Sequence, residues 1–179
     1  MKIHSPKNIL VLVLFALPLF AFSQNLKTPG QKLDSMGIKL PPPTTPVANF
    51  VKWVKSGDLV YTSGHGPSRE NAPSITGKVG LDLTVEEGYA AARLTGIALL
   101  STLKDACGGD LGRVKRIVKV LGMVNCPTDF TQQSAVMNGF SDLMVAVFGD
   151  KGKHARSAVG MGSLPGNMAV EIEMIVEVE

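Results

Sequence analysis

Histidine, cysteine and net charge are all scarce in this sequence. Its 179 residues contain three histidines and two cysteines, and the formal net charge is only +3. His65 and His154 have no acidic residue patterned beside them as further ligands, so we expect no metal site. The sequence also shows no internal repeat.

The small positive charge belongs partly to the start of the chain. Lys2 and Lys7 precede an apolar run, and Ala21-Phe22-Ser23 fits a cleavage site, which predicts a signal peptide over 1–23. The run is short and contains Pro18, so it does not fit a membrane span. We therefore predict an exported protein, periplasmic or extracellular, with no membrane association after signal cleavage.

The remaining charge does not favour a nucleic-acid partner. Without Lys2 and Lys7 the chain keeps sixteen basic and fifteen acidic residues, a balance of +1. The densest basic group is Arg113, Lys115, Arg116 and Lys119. A solvated strand start explains it better than a phosphate-binding patch does, because only Lys115 and Lys119 share a face. We expect no nucleic-acid partner.

Export would permit a disulfide, but the expected geometry opposes one. Cys107 follows a predicted helix, and Cys126 lies beyond the far end of the strand that comes next. That strand would separate the two residues by roughly 35 Å, far more than a disulfide can bridge. We predict two free thiols.

Hydrophobic spacing and turn residues predict an α+β domain with the order β-β-α-β-α-β-β. We expect an extended arm over 24–45, with a short helix around 31–36, and a domain over 46–179. Predicted strands are 50–54, 58–63 and 114–124, followed near the end of the chain by a strand-turn-strand hairpin. One helix should begin at a Thr84–Glu87 capping box and end at Gly108-Gly109, and a second should run from Asp129 to Gly149.

Two charged residues stand out in the last two strands. Arg156 enters the small, apolar segment ARSAVG, and Glu171 lies on a segment that alternates between apolar and acidic residues, which is typical of a half-buried strand. On neighbouring strands the two side chains can form a site. Arg156 can bind a carboxylate through a planar pair of donors, and Glu171 can hold or activate a water.

Two predicted helices can cover only one face of such a sheet. The other face would carry Lys119, Leu121 and Met123 or their alternates, together with exposed aliphatic residues. A semi-apolar sheet face without a cover is a surface for self-association. We therefore expect a homo-oligomer.

Several segments together resemble the reactive intermediate deaminase family, RidA or YjgF, formerly called endoribonuclease L-PSP. They are TSGHGP after a strand, DLTVEEG at a helix start, VKRIVKVLGMVN as a middle strand, and HARSAVG, LP and VEIEMIVEV in that order. The similarity runs over roughly 46–179. The LPPPTTPVANFV start and the GKVG loop indicate a divergent subgroup.

The resemblance implies a chorismate-mutase-like domain, a mixed β-sheet with two helices on one face, assembled as a homotrimer around a central barrel. Family members hydrolyse 2-imino acids to 2-keto acids and ammonia without a metal or organic cofactor. On this sequence Arg156 would bind the substrate carboxylate and Glu171 would orient the attacking water. Ser63 and Gly64 match a site-lining Ser-Gly pair.

Three further positions differ from the family pattern. Phe50 stands at a tyrosine position, Ser134 at an asparagine position and His65 at a glutamine position, and all three are expected to line the pocket. Ala158 replaces a frequent cysteine, so no thiol chemistry is expected there.

Other interpretations remain open. Arg156 could be a structural arginine paired with an acid, although no acid neighbours it in sequence. Glu171 could be a solvated residue like Glu177, and His65 a loop histidine. As a whole, the chain could be a trimeric binder of small amino or keto acids without turnover. A ribonuclease fits least, since no acid-base pair of histidine with histidine or lysine stands at a recognisable spacing.

Overall fold

The computed structural model describes Met1 and residues 27–43, 45–46, 48–67 and 74–179. The predicted signal peptide lies outside these ranges apart from Met1, as does the first part of the predicted arm. Among the described residues, none of the helices combines the length and the hydropathy that a membrane span requires.

The domain is a five-stranded mixed sheet with helices packed against one face, which confirms the predicted α+β class. The strands are β1 (Trp53–Ser56), β2 (Leu59–Thr62), β3 (Val114–Asn125), β4 (Ala155–Met161) and β5 (Val170–Val178), and their order across the sheet is β1-β2-β5-β3-β4. β4 runs parallel to β3, and the other neighbouring pairs are antiparallel. The helices are α1 (Pro29–Ser35), α2 (Val85–Ala106) and α3 (Gln133–Phe148).

The boundaries of α2 follow the predicted signals. The Thr84 hydroxyl accepts a hydrogen bond from the Glu87 amide, and the Glu87 carboxylate accepts one from the Thr84 amide. The helix ends at Ala106, before Gly108 and Gly109 take positive φ angles of 67° and 98°.

The predicted start of α3 at Asp129 is wrong. The Phe130 amide donates to the Pro127 carbonyl, so 127–130 forms a turn, and the helix begins four residues later at Gln133. Aspartate is common both in turns and at helix N-caps, so the sequence alone did not show which of the two Asp129 begins. The predicted core positions Met137, Phe140, Met144 and Val147 are all buried.

The last two strands do not form the predicted hairpin. β3 lies between β4 and β5, because α3 returns the chain parallel to β3 and the segment 162–169 then crosses to the other side of it. The buried Asn125 side chain, at the end of β3, fixes this crossing by donating to the Asn167 side-chain oxygen at 3.0 Å and the Met168 carbonyl at 3.2 Å. Arg156 and Glu171 are therefore not on neighbouring strands.

The helices leave one sheet face open, as the sequence predicted. Apolar residues of β3 and β5 facing α2 and α3, such as Val120 and Ile172, are fully buried. On the other face, Val54, Tyr61 and Val159 are exposed. A cavity of about 240 Å³ on that face has Leu121 and Ile175 among its lining residues. We refer to the two sides as the helix face and the open face.

Part of the segment predicted as an extended arm is helical. The predicted short helix is present as α1, capped by Thr28, and its Leu33 joins the hydrophobic core. The segment before β1 is thus not extended throughout. Cys107 and Cys126 are separate thiols, both buried.

Candidate functional site

Arg156 lies on β4 with its side chain on the helix face. Its Cα partner on β3 is the buried Val120, and paired residues share a face of the sheet. The guanidinium Nη1 donates to the Asn138 side-chain oxygen at 3.1 Å and to the Ser141 hydroxyl at 2.9 Å. Nη2 donates to the Ser134 carbonyl at 3.4 Å. α3 thus holds the guanidinium through three neutral acceptors.

The charge of Arg156 is not neutralised by the described part of the chain. None of the ion pairs there includes it, and its hydrogen-bond acceptors carry no charge. A guanidinium has five N–H donors, so these three bonds leave two for a ligand. A half-buried, unneutralised guanidinium with free donors suits a carboxylate.

Behind Arg156 stands His154, which connects to it through Ser141. The ring Nδ1 is 2.7 Å from the Gly152 carbonyl, and Nε2 is 3.1 Å from the Ser141 hydroxyl. The ring also packs edge-on against Phe140, with a centroid separation of 5.7 Å. Burial lowers the pKa of His154 from its ordinary value of 6.5, and the nearby Arg156 charge lowers it further, against the Gly152 bond.

Glu171 lies on β5 with its side chain on the open face. Its Cα partner is Met123, and its chain neighbours Val170 and Ile172 are buried on the helix face. The carboxylate lies against the backbone of Gly64, where a Cβ would collide with it. Burial raises the pKa of Glu171 above its ordinary value of 4.5, and the charge of Glu173 adds to the effect.

The two charged side chains therefore point to opposite faces of one sheet, with β3 between their strands. This overturns the expectation that Arg156 and Glu171 meet through strand neighbourhood. Within a single chain they do not converge on one small molecule. A site that uses both side chains needs a second copy of the chain.

The Ser63–His65 segment has its side chains engaged within the chain. The Ser63 hydroxyl donates to the Lys52 carbonyl at 3.3 Å. The His65 ring is 7% exposed and makes two internal contacts of 2.8 Å, from Nδ1 to the Ser63 carbonyl and from Nε2 to the Thr102 hydroxyl on α2. Burial lowers its pKa, and Lys52 adds to this against the Ser63 bond. His65 thus has no free ring nitrogen for a ligand in this conformation.

Phe50 and Ser134, the remaining predicted pocket residues, lie in different parts of the fold. Phe50 precedes β1 and is 49% exposed, with the Lys52 ammonium 5.9 Å from its ring centre. Ser134 is near Arg156, but it contributes its carbonyl rather than its hydroxyl.

Sequence reasoning missed Asn138 and Ser141. A signal was present, because Ser134, Asn138 and Ser141 are spaced four and three apart and form a polar stripe on a largely apolar helix. That stripe faces Arg156.

The chain is a small α+β domain with helices on one face of a mixed sheet and with Arg156 held by α3. Comparisons with known proteins identify the family to which this domain belongs. Residues 30–178 match the family described as "YjgF/chorismate_mutase-like, putative endoribonuclease". The chain belongs to this family, as its resemblance to RidA proteins led us to expect.

Three relatives illustrate the similarity. Protein TCP17 of Trypanosoma cruzi is 46% identical over 146 residues, covering 81% of this chain and 91% of that protein. The structure of Atu1372 from Agrobacterium tumefaciens, of unknown function, is 40% identical with a TM-score of 0.78, covering 83% and 91%. That of a "putative endoribonuclease" from Shewanella oneidensis MR-1 is 31% identical with a TM-score of 0.81, covering 85% and 100%.

Proposed function

We propose that the protein is a deaminase that hydrolyses small 2-imino acids, and the enamine acids in equilibrium with them, to 2-keto acids and ammonia. The observation that carries the proposal is the half-buried Arg156 guanidinium, which α3 holds by neutral acceptors only. Such a guanidinium can bind the carboxylate that every 2-imino acid carries. Family membership supports the same class of ligand.

The reaction requires little beyond positioning. A protonated imine carbon is already electrophilic, so a water held in line can add to it while a carboxylate takes one water proton. The carboxylic acid then returns that proton to the nitrogen of the carbinolamine, which leaves as ammonia while the hydroxyl loses its proton to solvent and becomes the carbonyl. Glu171 is the proposed base, because burial raises its pKa and none of the hydrogen bonds among described residues occupies its carboxylate.

The proposed site lies between copies of the chain. Arg156 on the helix face and Glu171 on the open face can share a substrate only if the open face of one copy approaches the β4 edge of another. The exposed Val54, Tyr61 and Val159 supply apolar surface for such contacts. We propose a homotrimer, in which each site takes Arg156 from one copy and Glu171 from its neighbour.

The test is an assay of keto-acid release from imines generated in situ by an amino-acid oxidase. Arg156→Ala should lower kcat/KM roughly a hundredfold, because it removes the partner of a desolvated carboxylate. Arg93→Ala is the matched control, since it removes the same charge from α2. No acceleration by the wild-type protein across small and large side chains would refute the enzyme. A monomer mass by light scattering would refute the shared site.

A binder without turnover is the second candidate. One observation favours it: Arg156 and the side chains that hold it, Asn138 and Ser141, belong to one chain, whereas Glu171 lies on the opposite face of the sheet. Binding of a carboxylate could then proceed without a positioned water. A melting temperature raised by 2-oxobutanoate in the wild type but not in Arg156→Ala, without any keto-acid release from imines, would identify the binder.

A further inference from the structure

We propose that Ser141 and His154 are positioning residues that fix the direction in which Arg156 presents its donors. The inference rests on the proposed carboxylate-binding role of Arg156 and concerns how this chain keeps the guanidinium ready. Neither residue needs to touch the ligand. His154 acts through the hydroxyl of Ser141.

The hydrogen bonds define one arrangement of protons. The Gly152 carbonyl can only accept, so the Nδ1 that lies 2.7 Å from it carries the ring proton. In the neutral ring Nε2 is then an acceptor, and the Ser141 hydroxyl must donate to it across 3.1 Å. The lone pairs of Ser141 Oγ remain for Arg156 Nη1, which lies 2.9 Å away.

This arrangement removes a freedom that serine normally has. A serine hydroxyl rotates and can donate or accept as its surroundings demand. Here the ring of His154 takes the hydroxyl proton, so Oγ offers lone pairs to the guanidinium. The ring itself is fixed by the Gly152 carbonyl and by its edge-on contact with Phe140.

The same hydrogen-bond pattern surrounds the ring of His65, but there it does not lead to a group that could bind a ligand. Its Nδ1 also bonds the carbonyl two residues earlier, and its Nε2 also meets a hydroxyl on a helix, that of Thr102. However, Thr102 Oγ1 has no further partner among the described residues. Ser141 does have one, and it is the cation of the candidate site.

The consequence is a guanidinium ordered before the ligand arrives. A long arginine side chain loses rotamer freedom on binding, and a side chain that is already fixed loses less. Asn138 and the Ser134 carbonyl contribute to the same ordering. The two unoccupied N–H groups are thereby held in a constant direction.

The experiment compares three variants in the keto-acid release assay on the full chain. His154→Phe keeps an aromatic ring against Phe140 but removes the acceptor for Ser141, and KM should rise roughly tenfold while kcat changes much less. Ser141→Ala should give a similar rise. His154→Gln supplies an oxygen that can accept from Ser141, and it should recover most of the loss.

A double-mutant cycle decides whether His154 works through Ser141. In a Ser141→Ala background, His154→Phe should add little, because the link is already broken. Additive effects, or a wild-type KM in both single variants, would overturn the proposal. If His154→Phe fails to fold, Ser141→Ala and His154→Gln still test it, since the first must raise KM and the second must raise it far less.

A nuclear magnetic resonance measurement separates this inference from the proposed activity. If the wild-type protein releases no keto acid from any imine, the deaminase proposal fails, and the Nη–H signals of Arg156 decide the positioning role. Slow guanidinium rotation in the wild type and in His154→Gln, with fast rotation in His154→Phe, would support it. Equal rotation in all three proteins would overturn it.

Discussion

The two faces of the sheet prepare their charged side chains in different ways. On the helix face, Arg156 is held by three acceptors of α3 and carries no opposing charge among the described residues. On the open face, Glu171 lies against Gly64, and no hydrogen bond among the described residues holds its carboxylate. The part of the proposed site that would bind a carboxylate is thus formed within one chain. Glu171, the proposed water-activating group, would have to come from a neighbouring copy.

Glu171→Gln tests the division of roles between the two faces most directly. We expect kcat to fall about a hundredfold or more, since a general base contributes on that order, while the affinity for 2-oxobutanoate stays near that of the wild type. Steady-state kinetics and calorimetric titration measure the two quantities. A parallel loss of affinity would contradict the division of roles between the faces.

Glu171→Gln should stabilise the fold slightly at neutral pH, although it should lower activity. A carboxyl whose pKa is raised in the folded state destabilises the fold above that pKa, and the penalty fades as falling pH protonates the group. Glu171→Gln should therefore raise the melting temperature slightly at pH 7 and not at all at pH 4. Glu177→Gln is the contrasting variant: Glu177 lies on the same face of β5, but its carboxylate is 3.9 Å from the Lys115 ammonium, so its removal should not raise the melting temperature at pH 7.

Gly64→Ala should displace Glu171 rather than remove it, so its effect on activity should be smaller. The new methyl group collides with the Glu171 carboxylate and must displace it. We expect kcat to fall roughly tenfold and stability to drop by about 1–3 kcal/mol, as is usual for overpacking. Kinetics and urea unfolding measure these changes. Unaltered kcat would show that the position of Glu171 does not matter.

Stability should also depend weakly on pH through two buried histidines on the helix face. The pKa values of His65 and His154 are lowered by burial, so the unfolded chain binds more protons than the folded one below the ordinary value of 6.5. Stability should then fall as pH drops from 7 to 5. Urea unfolding at the two pH values measures it, and His154→Phe should reduce the slope. A slope unchanged by this substitution would assign the effect elsewhere.

Local features of the sequence predicted much of this fold. The Thr84 capping box, the glycine pair after α2 and the strict alternation of β5 each depend on residues a few positions apart. The insertion of β3 between β4 and β5 does not, because strand order arises from packing between segments far apart in the chain. Alternation shows that residues within one strand share a face, but it does not show which strand lies beside it.

The candidate site divides in the same way. Arg156 and Glu171 were predicted from the sequence as site residues, and their role in a ligand site stays a prediction. Their separation by β3 was not predictable from a strand-turn-strand pattern. The partners of Arg156 were within reach of the sequence, since the stripe from Ser134 to Ser141 has helical spacing, but nothing local indicates that it faces β4.

The pairing of β4 with β3 determines which face receives the positive charge. In the observed register Ser157 lies on the open face, where its hydroxyl accepts a hydrogen bond from the Lys119 ammonium at 2.9 Å. A slip of one residue would exchange the sides of Arg156 and Ser157, placing the guanidinium beside Lys119 and a hydroxyl beside α3. The hydrogen bond between Lys119 and Ser157 therefore stabilises the observed register of β4 against β3. In the slipped register, the Lys119 ammonium would repel the Arg156 guanidinium.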